Sequence, residues 1–527
     1  MYDFMLTPAE QAVKQEARDF VNNRISSDFL RKMDRDEIVY PREFVESIAG
    51  HNLRAIRFPE KWGGRNLSWV AEVAATEEIG CLGMALGCAY VMPSIVGEAL
   101  NQFGNDYLKE KYLRPYLEGQ LVAAEALTEP RGGSDFFGAT TRADLQGDHF
   151  IVNGQKRFVV GAEGADFFVV YCRTNFEPNA HKYGKLSLLV IEKGPGVETE
   201  YLYGLMGCRG GGTGRLVFRD VKVPRENLIG ELHGGALCFN QMMIPERLTS
   251  AAGCLGVWGA LDLAVRYSDK RRAFGREIRK FQAFNTLVAD SITELDAARA
   301  LTYMAARAVD EGYTHARRLV SEAKRFAAEA AWKVVNNAMQ IMGGIGYTDV
   351  YPIERALRDI RLSMIWTGTS QIMNLLIQHE YYDQVLNPAY NRRKMEKDAM
   401  HPDKSERCFT DEDMWAVHDA PKQVYKLNPG SPPAGATRPA RTTVCSRFFA
   451  PLTIRHPSNP RCAGPHLPTP LFVVDLCAFL CWFTPQFHGT QFRKEHTNGR
   501  YSNQSWTLGG DRKAATGFKT AGRRSYS

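Results

Sequence analysis

The sequence predicts an α+β multidomain protein with an N-terminal all-α domain, a middle β-barrel-like domain and a C-terminal four-helix bundle. Three observations carry that expectation. The 527 residues exceed the ~250–300 at which one hydrophobic core stops growing, so the chain divides. Apolar residues recur at spacings of three and four up to about residue 120, alternate over short β-branched runs to about 232, and return to helical spacing from 233. Beyond about 420 both periodicities vanish, so a tail that is disordered or non-native is expected there.

Residues 1–120 open at Leu6-Thr7-Pro8-Ala9-Glu10, with Thr7 as N-cap and Pro8 at the first helical position, where no intrahelical N–H is needed. So early a helix start is expected to exclude a signal peptide, and the segment is not an Arg-rich, acid-poor transit peptide. Pro41, Pro59, Gly63-Gly64 and Pro93 break the later helices. Residues 121–232 supply strands such as Phe150-Ile151-Val152 and Phe167-Phe168-Val169-Val170-Tyr171, separated by Gly, Asn and Pro. In residues 233–386, four long helices are expected over 234–270, 278–312, 314–342 and 370–385, and short connections make an antiparallel bundle. Residues 387–420 form a short extension and 421–527 a basic tail.

The formal charge of +7 is unevenly placed: residues 421–527 hold 15 Lys/Arg against 3 Asp/Glu, a balance of +12, which leaves −5 for residues 1–420. Overall basicity therefore says little about partners of the body. The cysteines of the first 420 residues have no short paired spacings, which suggests buried thiols in a reducing, cytoplasmic compartment. The most apolar window, 471–483, contains Asp475 and is about half the ~20 residues a membrane helix needs, so no span is expected. No metal is expected either: His-Glu-x-x-His and paired Cys-x-x-Cys patterns do not occur, and Cys477-x-x-x-Cys481 stands alone.

The run Ala126-Leu127-Thr128-Glu129-Pro130-Arg131-Gly132-Gly133-Ser134-Asp135 joins the first helical block to the β domain. Its glycines let backbone N–H groups approach an anionic or planar ligand, and Thr128 and Ser134 add hydroxyl donors. A plain interdomain turn would read the same way. The glycines between Gly207 and Gly214 are flanked by strands and lack Gly-x-Gly-x-x-Gly spacing, which excludes a Rossmann loop. Arg271-Arg272-Ala273-Phe274-Gly275, with Phe281-Gln282 downstream, offers guanidinium forks suited to a diphosphate or, more plainly, a solvated helix end.

Together these segments resemble the acyl-CoA dehydrogenases. The 126–135 run is similar to that family's Thr-Glu-Pro-x-x-Gly-Ser-Asp signature, 271–282 to its Arg-x-x-Phe-Gly and following Gln. The stretch from Gln340-Ile341-Met342-Gly343-Gly344 through Arg358-Asp359 to Trp366-Thr367-Gly368-Thr369-Ser370-Gln371 is similar to its C-terminal part. The resemblance covers about residues 1–386. It implies FAD, an acyl-CoA substrate, an electron-transfer flavoprotein or similar acceptor, and a homo-oligomer, tetramer or dimer. Leu127, Thr128, Ser134, Phe158 and Val160 would line the flavin, with Val160 lacking the hydroxyl that the family often has there. Arg271, Phe274 and Gln282 would hold FAD towards its diphosphate. Thr369 and Gln371 would also bind FAD, and Gln340, Gly343 and Gly344 would contact the cofactor of a neighbouring subunit.

Thr367 stands where most of the family carries its catalytic carboxylate, and its hydroxyl stays protonated near neutral pH, so it is no base. Isovaleryl-CoA and long-chain acyl-CoA dehydrogenases resemble this chain in carrying a small residue there and a carboxylate on a bundle helix, in a Glu-Arg-Leu context. Glu246-Arg247-Leu248 matches it. The resemblance thus implies Glu246 as general base, strengthened by desolvation, and the Thr367 backbone N–H as donor to the thioester oxygen. Ser134, Arg247 and Trp366 would contact substrate. A Glu after Pro that only favours a helix dipole is the plainer alternative for Glu246.

The expected reaction is α,β-dehydrogenation of an acyl-CoA, with hydride passing to flavin N5. An enoyl-CoA reductase would use the same groups in reverse. A third expectation is a nucleic-acid-associated flavoprotein that uses the basic tail, although the tail has no helical stripe or recognised nucleic-acid module. The abrupt charge change and five of the eleven cysteines lying from Cys408 onward also fit a shifted-frame or read-through extension.

Overall fold

Thr7 starts the first helix with a capping box: its hydroxyl accepts from the Glu10 N–H at 3.4 Å, and the Glu10 carboxylate accepts from the Thr7 N–H at 2.8 Å. Two donors that a helix end leaves bare are thereby satisfied. The computed structural model describes residues 3–398. The expectations for the basic tail, the 471–483 window and Cys477-x-x-x-Cys481 lie outside the described residues.

Helices α1 (Pro8–Arg24), α2 (Ser27–Asp34), α3 (Arg42–Gly50), α4 (Trp69–Ile79), α5 (Met84–Met92), α6 (Glu98–Phe103), α7 (Asp106–Leu108) and α8 (Arg114–Leu117) make the N-terminal layer. Every residue of α4 is buried, because the helix serves two cores. Ala71, Ala75 and Ile79 pack with α1 and α3, whereas Val70, Val73 and Ala74 pack with the C-terminal helices.

Strands β1 (Ala123–Ala126), β2 (Arg142–Gln146), β3 (His149–Val159), β4 (Phe167–Arg173), β5 (Leu186–Glu192), β6 (Val197–Leu202), β7 (Gly214–Pro224) and β8 (Leu228–Ile229) follow. They form one sheet in the order β6-β7-β3-β2-β4-β5-β8, with β1 parallel to β4. Side chains alternate across a strand, and β4 uses both faces. Phe167, Val169 and Tyr171 face the helices, while Phe168, Val170 and Cys172 enter an interior shared with β3, β5 and β7. That interior is the barrel-like core expected from the sequence, although the pairing path ends at β6 and β8 without closing.

The C-terminal layer comprises α9 (Gly235–Leu255), α10 (Trp258–Lys270), α11 (Gln282–Asp310), α12 (Ala316–Met342), α13 (Ile353–Ile360) and α14 (Ser370–Leu386), with a small hairpin of β9 (Arg272–Ala273) and β10 (Arg276–Glu277). Two expectations need correction. The single helix over 234–270 is two helices, broken at Gly256-Val257, where the chain meets the Gly80 turn backbone to backbone. A Cβ at Gly256 would lie 2.2 Å from the Gly80 carbonyl carbon, and one at Gly80 would lie 2.5 Å from the Gly253 oxygen. The connection before α14 is also longer than a bundle turn, since it carries α13 and the loop that ends in Thr367.

The segment Gly235–Lys270 is apolar and long enough to cross a membrane by composition, but 56% of its apolar window is buried inside the fold. Its inward residues Leu248, Ala251, Ala252 and Leu255 pack with α4, α11 and α12. Cys88, Cys172, Cys208, Cys238 and Cys254 are buried free thiols and Cys81 is a half-buried one, in line with the reading of the cysteines as unpaired.

Candidate active site

Glu246 sits on α9 directly after Pro245. Its side chain faces inward, leaving the residue only 6% exposed, and Arg247 beside it only 5%. Glu246 Oε1 and Arg247 Nε are buried without a hydrogen-bond partner among the described residues. Burial drives the Glu246 carboxyl upward, and although Arg247, Glu125 and Lys324 draw it back, it is pushed up to about 7. A carboxyl that exchanges its proton near neutrality suits a general base. Burial also brings the Arg247 guanidinium down to about 10.

The nearest carboxyl comes from the sheet. Glu125 of β1 lies within hydrogen-bonding reach of Glu246, and burial first, then that neighbour, drive it well above the usual carboxylate range. Sequence reasoning missed this residue. A signal was present: one acid among small apolar residues in Ala123-Ala124-Glu125-Ala126, where Ala124 and Ala126 fill the sheet interior and alternation turns Glu125 the other way. Tyr171 of β4 acts electrostatically with both carboxyls, and its buried hydroxyl has no partner among the described residues.

The loop before α14 closes on the same region. Trp366 Nε1 donates to Ser250 Oγ at 3.1 Å, one turn beyond Glu246 on α9. Lys324 of α12, fully buried, donates from Nζ to the Gly368 carbonyl at 2.5 Å. Burial lowers that ammonium to about 8. Between these two anchors Thr367 has φ +50°, a region that β-branched residues rarely enter. Its Oγ1 is buried without a partner, and its N–H makes no backbone hydrogen bond among the described residues. Thr369 then caps α14, accepting from the Ile372 N–H at 3.1 Å, while Gln371 is exposed.

On the sheet side, the Thr128–Ser134 turn is built around buried Glu129. Its carboxylate accepts from Thr140 N–H at 2.6 Å, Thr140 Oγ1 at 2.7 Å, Thr141 N–H at 3.0 Å and Lys156 Nζ at 2.9 Å. Burial alone would raise this carboxyl, but Lys156 and the turn's donors bring it down to about 2. Leu127 and Thr128 are half-buried and Ser134 is exposed. The Arg157 N–H donates to the Thr128 carbonyl at 2.8 Å, which ties the end of β3 to the turn. Phe158 follows at φ +56°, 49% exposed, its ring 4.7 Å from that of Tyr203. Val160 instead borders a small cavity with Tyr40, Ala85, Ala89 and Met92.

The remaining predicted cofactor residues lie at the surface, away from Glu246's buried position. Arg271 is exposed at the C-cap of α10 and makes no ion pair among the described residues, whereas Arg272 pairs with Glu277 at 2.5 Å. Phe274, at φ +50°, forms the tip of the β9–β10 hairpin and is 95% exposed. Gln282 is exposed at the start of α11, and Gln340, Gly343 and Gly344 are exposed at the end of α12. Each taken by itself, the Arg271 guanidinium, the outward aromatic face of Phe274 and the Thr128 and Ser134 hydroxyls are of the chemistry that the diphosphate and ring of a flavin dinucleotide take, and they lie on separate elements.

A helical layer, a sheet packed on both faces and a second helical layer meet around a desolvated carboxyl, and the relatives that share this three-part architecture are oxidoreductases acting on CH–CH bonds. The chain belongs to the acyl-CoA dehydrogenase family: the N-terminal domain of that family matches residues 7–120, its middle domain 124–221 and its C-terminal domain 233–381. Among its relatives, the caffeyl-CoA reductase-Etf complex subunit CarC of Acetobacterium woodii is 34% identical over 370 residues, covering 69% of this chain and 96% of the relative. Mitochondrial isovaleryl-CoA dehydrogenase of Pongo abelii is 32% identical over 378 residues, covering 71% and 88%. The butyryl-CoA dehydrogenase structure from Megasphaera elsdenii superposes with a TM-score of 0.68 at 30% identity, covering 71% of this chain and 98% of that one. Members of the family bind FAD, and solved neighbours include FAD complexes.

Proposed function

We propose that this chain α,β-dehydrogenates an acyl-CoA thioester, with Glu246 removing the α-proton. The observation that carries this reading is the buried Glu246 carboxyl, one oxygen unpartnered, raised to about 7. Such a group is ionised often enough near neutrality to act and basic enough to take a proton from carbon. The Thr367 N–H, without a backbone partner among the described residues and held by the Trp366 and Lys324 anchors, donates to the thioester oxygen and stabilises the developing enolate. Arg247 braces the base or meets the CoA portion, Trp366 bounds the acyl site, and Ser134 contacts substrate from the sheet side.

FAD would supply the acceptor for the β-hydride. Leu127, Thr128, Ser134, Phe158 and Val160 would line its ring, and Arg271, Phe274 and Gln282 would hold it towards the diphosphate. Thr369 and Gln371 complete that set. Gln340, Gly343 and Gly344 reach the cofactor of a second subunit in a homotetramer or homodimer, a reading supported by the exposed Phe274 and Tyr347. An electron-transfer flavoprotein is the acceptor, the free thiols fit a cytoplasmic location, and the domains run over residues 1–120, 121–232 and 233–386. The reverse reaction, enoyl-CoA reduction, draws support from the relative named a caffeyl-CoA reductase subunit.

The test is anaerobic mixing of the purified flavoprotein with straight, branched, cyclic and dicarboxylic acyl-CoAs while flavin bleaching is followed. Glu246→Gln is expected to keep its FAD and slow bleaching by roughly 10²–10⁴, the usual worth of a general base. Bleaching at the parental rate would remove Glu246 from the mechanism.

A further inference from the structure

Glu125 has no place in the chemistry described so far, yet it brings a second carboxyl within hydrogen-bonding reach of the base from another element. The arrangement is built into the fold. β1 pairs in parallel with β4, with Glu125 opposite Val169, and Ala124 and Ala126 occupy the sheet interior. The side chain between them therefore leaves on the same face as Ala123, which packs in one cluster with Cys238 and Met242 of α9, the helix that carries Glu246.

Two carboxyls within hydrogen-bonding reach in a desolvated site strongly disfavour a second negative charge, which favours one proton retained between them. The surrounding charges decide where it resides. Arg247 of α9 and Lys324 of α12 favour the ionised form of Glu246. Lys156 of β3 also acts on Glu125, but its ammonium is engaged by Glu129 at 2.9 Å. Tyr171 of β4 faces both carboxyls as a neutral phenol raised by burial, with Cys238 of α9 near it, also raised by burial. Arg317 and Glu380 act on Arg247 rather than on the pair directly.

We propose that Glu125 is a positioning residue for Glu246: it keeps the shared proton, donates its O–H to the Glu246 carboxylate, and limits the pair to one negative charge. This rests on Glu246 being the base. The unpartnered Glu246 Oε1 is then the atom that faces substrate. In the reaction the α C–H bond breaks, its electron pair stays with the acyl skeleton, and the proton forms a new O–H bond on Glu246. FAD, bound as proposed above, would accept the β-hydride, and the neutral pair releases one proton to solvent after product leaves.

Two variants separate the outcomes. Glu125→Leu removes the donor in an apolar side chain of similar volume, so ionised Glu246 loses a hydrogen bond. The acid limb of flavin reduction is expected to move up by about one pH unit, making reduction roughly tenfold slower at pH 6 and near-parental at pH 9. Glu125→Gln keeps an N–H donor and is expected to hold the limb close to its parental position. An independent readout is infrared titration of the resting protein without substrate: a protonated-carboxyl band persisting above pH 7 is expected to disappear in both variants. The proposal is overturned if Glu125→Leu leaves the limb in place, or if the band survives both substitutions. Parental bleaching in Glu246→Gln would instead remove the base assignment, whatever the infrared band does.

Discussion

Glu129→Gln offers the sharpest test of how the turn bearing Thr128 and Ser134 is held. The carboxylate is 2% exposed and accepts four hydrogen bonds, one from Lys156 Nζ, itself fully buried. Holding this carboxyl at about 2 rather than its ordinary 4.5 corresponds to about 3 kcal/mol of stability at pH 7, one pKa unit being worth about 1.4 kcal/mol. Removing one partner of a buried ion pair gives a similar figure, about 3–5 kcal/mol, because the other charge is left without its partner. The sign follows from the lowered pKa: the contribution is fully present above about 4.5 and fades as pH falls towards 2. Urea unfolding of the FAD-loaded protein, followed by circular dichroism, should show a parent-to-variant gap of about 3 kcal/mol at pH 7, narrowing to about half by pH 3. The double variant Glu129→Gln/Lys156→Met should recover part of it. A gap below about 1 kcal/mol at pH 7, or one indifferent to pH between 3 and 7, would refute the reasoning.

Arg271→Ala should weaken FAD retention about tenfold, as loss of a charge-assisted hydrogen bond implies, without moving the unfolding midpoint of the FAD-free protein; equilibrium dialysis and thermal melts check this. Thr367→Gly keeps the backbone N–H and relieves the left-handed backbone, so flavin reduction should stay within several-fold of the parent; a hundredfold loss would show that the side chain matters. Trp366→Phe removes the bond to Ser250 and should cost about 1 kcal/mol in denaturant unfolding. In the parent, flavin reduction should rise with pH up to about 7 and level off above, since the raised Glu246 carboxyl must lose its proton to act; a rate flat from pH 5 to 8 would contradict a base at that position.

The order of helices, sheet and helices was legible because the period of the apolar residues changes with the type of element. Thr7, Pro8 and Glu10 marked their helix start because capping is a local matter. The break at Gly256 was not read, although Gly253, Gly256 and Gly259 were visible, since it depends on the distant Gly80 turn. α13 was overlooked because eight residues after a proline give too little periodicity. Around the proposed site, Glu246 and Thr367 were singled out through motif context, whereas Glu125, Tyr171 and Lys324 were not. Their importance comes from burial beside groups distant in sequence, which spacing along the chain does not carry. Val160 was expected beside the flavin, and the cavity it borders is formed with α5 and Tyr40, neighbours that no strand pattern names.

The loop between α13 and α14 is fastened by Lys324 to a carbonyl oxygen, and the atom it offers to substrate in the proposed reaction is an amide. Neither link consults the side chain at position 367. A loop secured in this way tolerates drift at that residue without changing its path, which on the proposed reading leaves the proton to be taken by a carboxylate on a different helix. The same architecture thus invites the base to be relocated by design: one loop, two helices and several positions from which an acid can reach the same carbon.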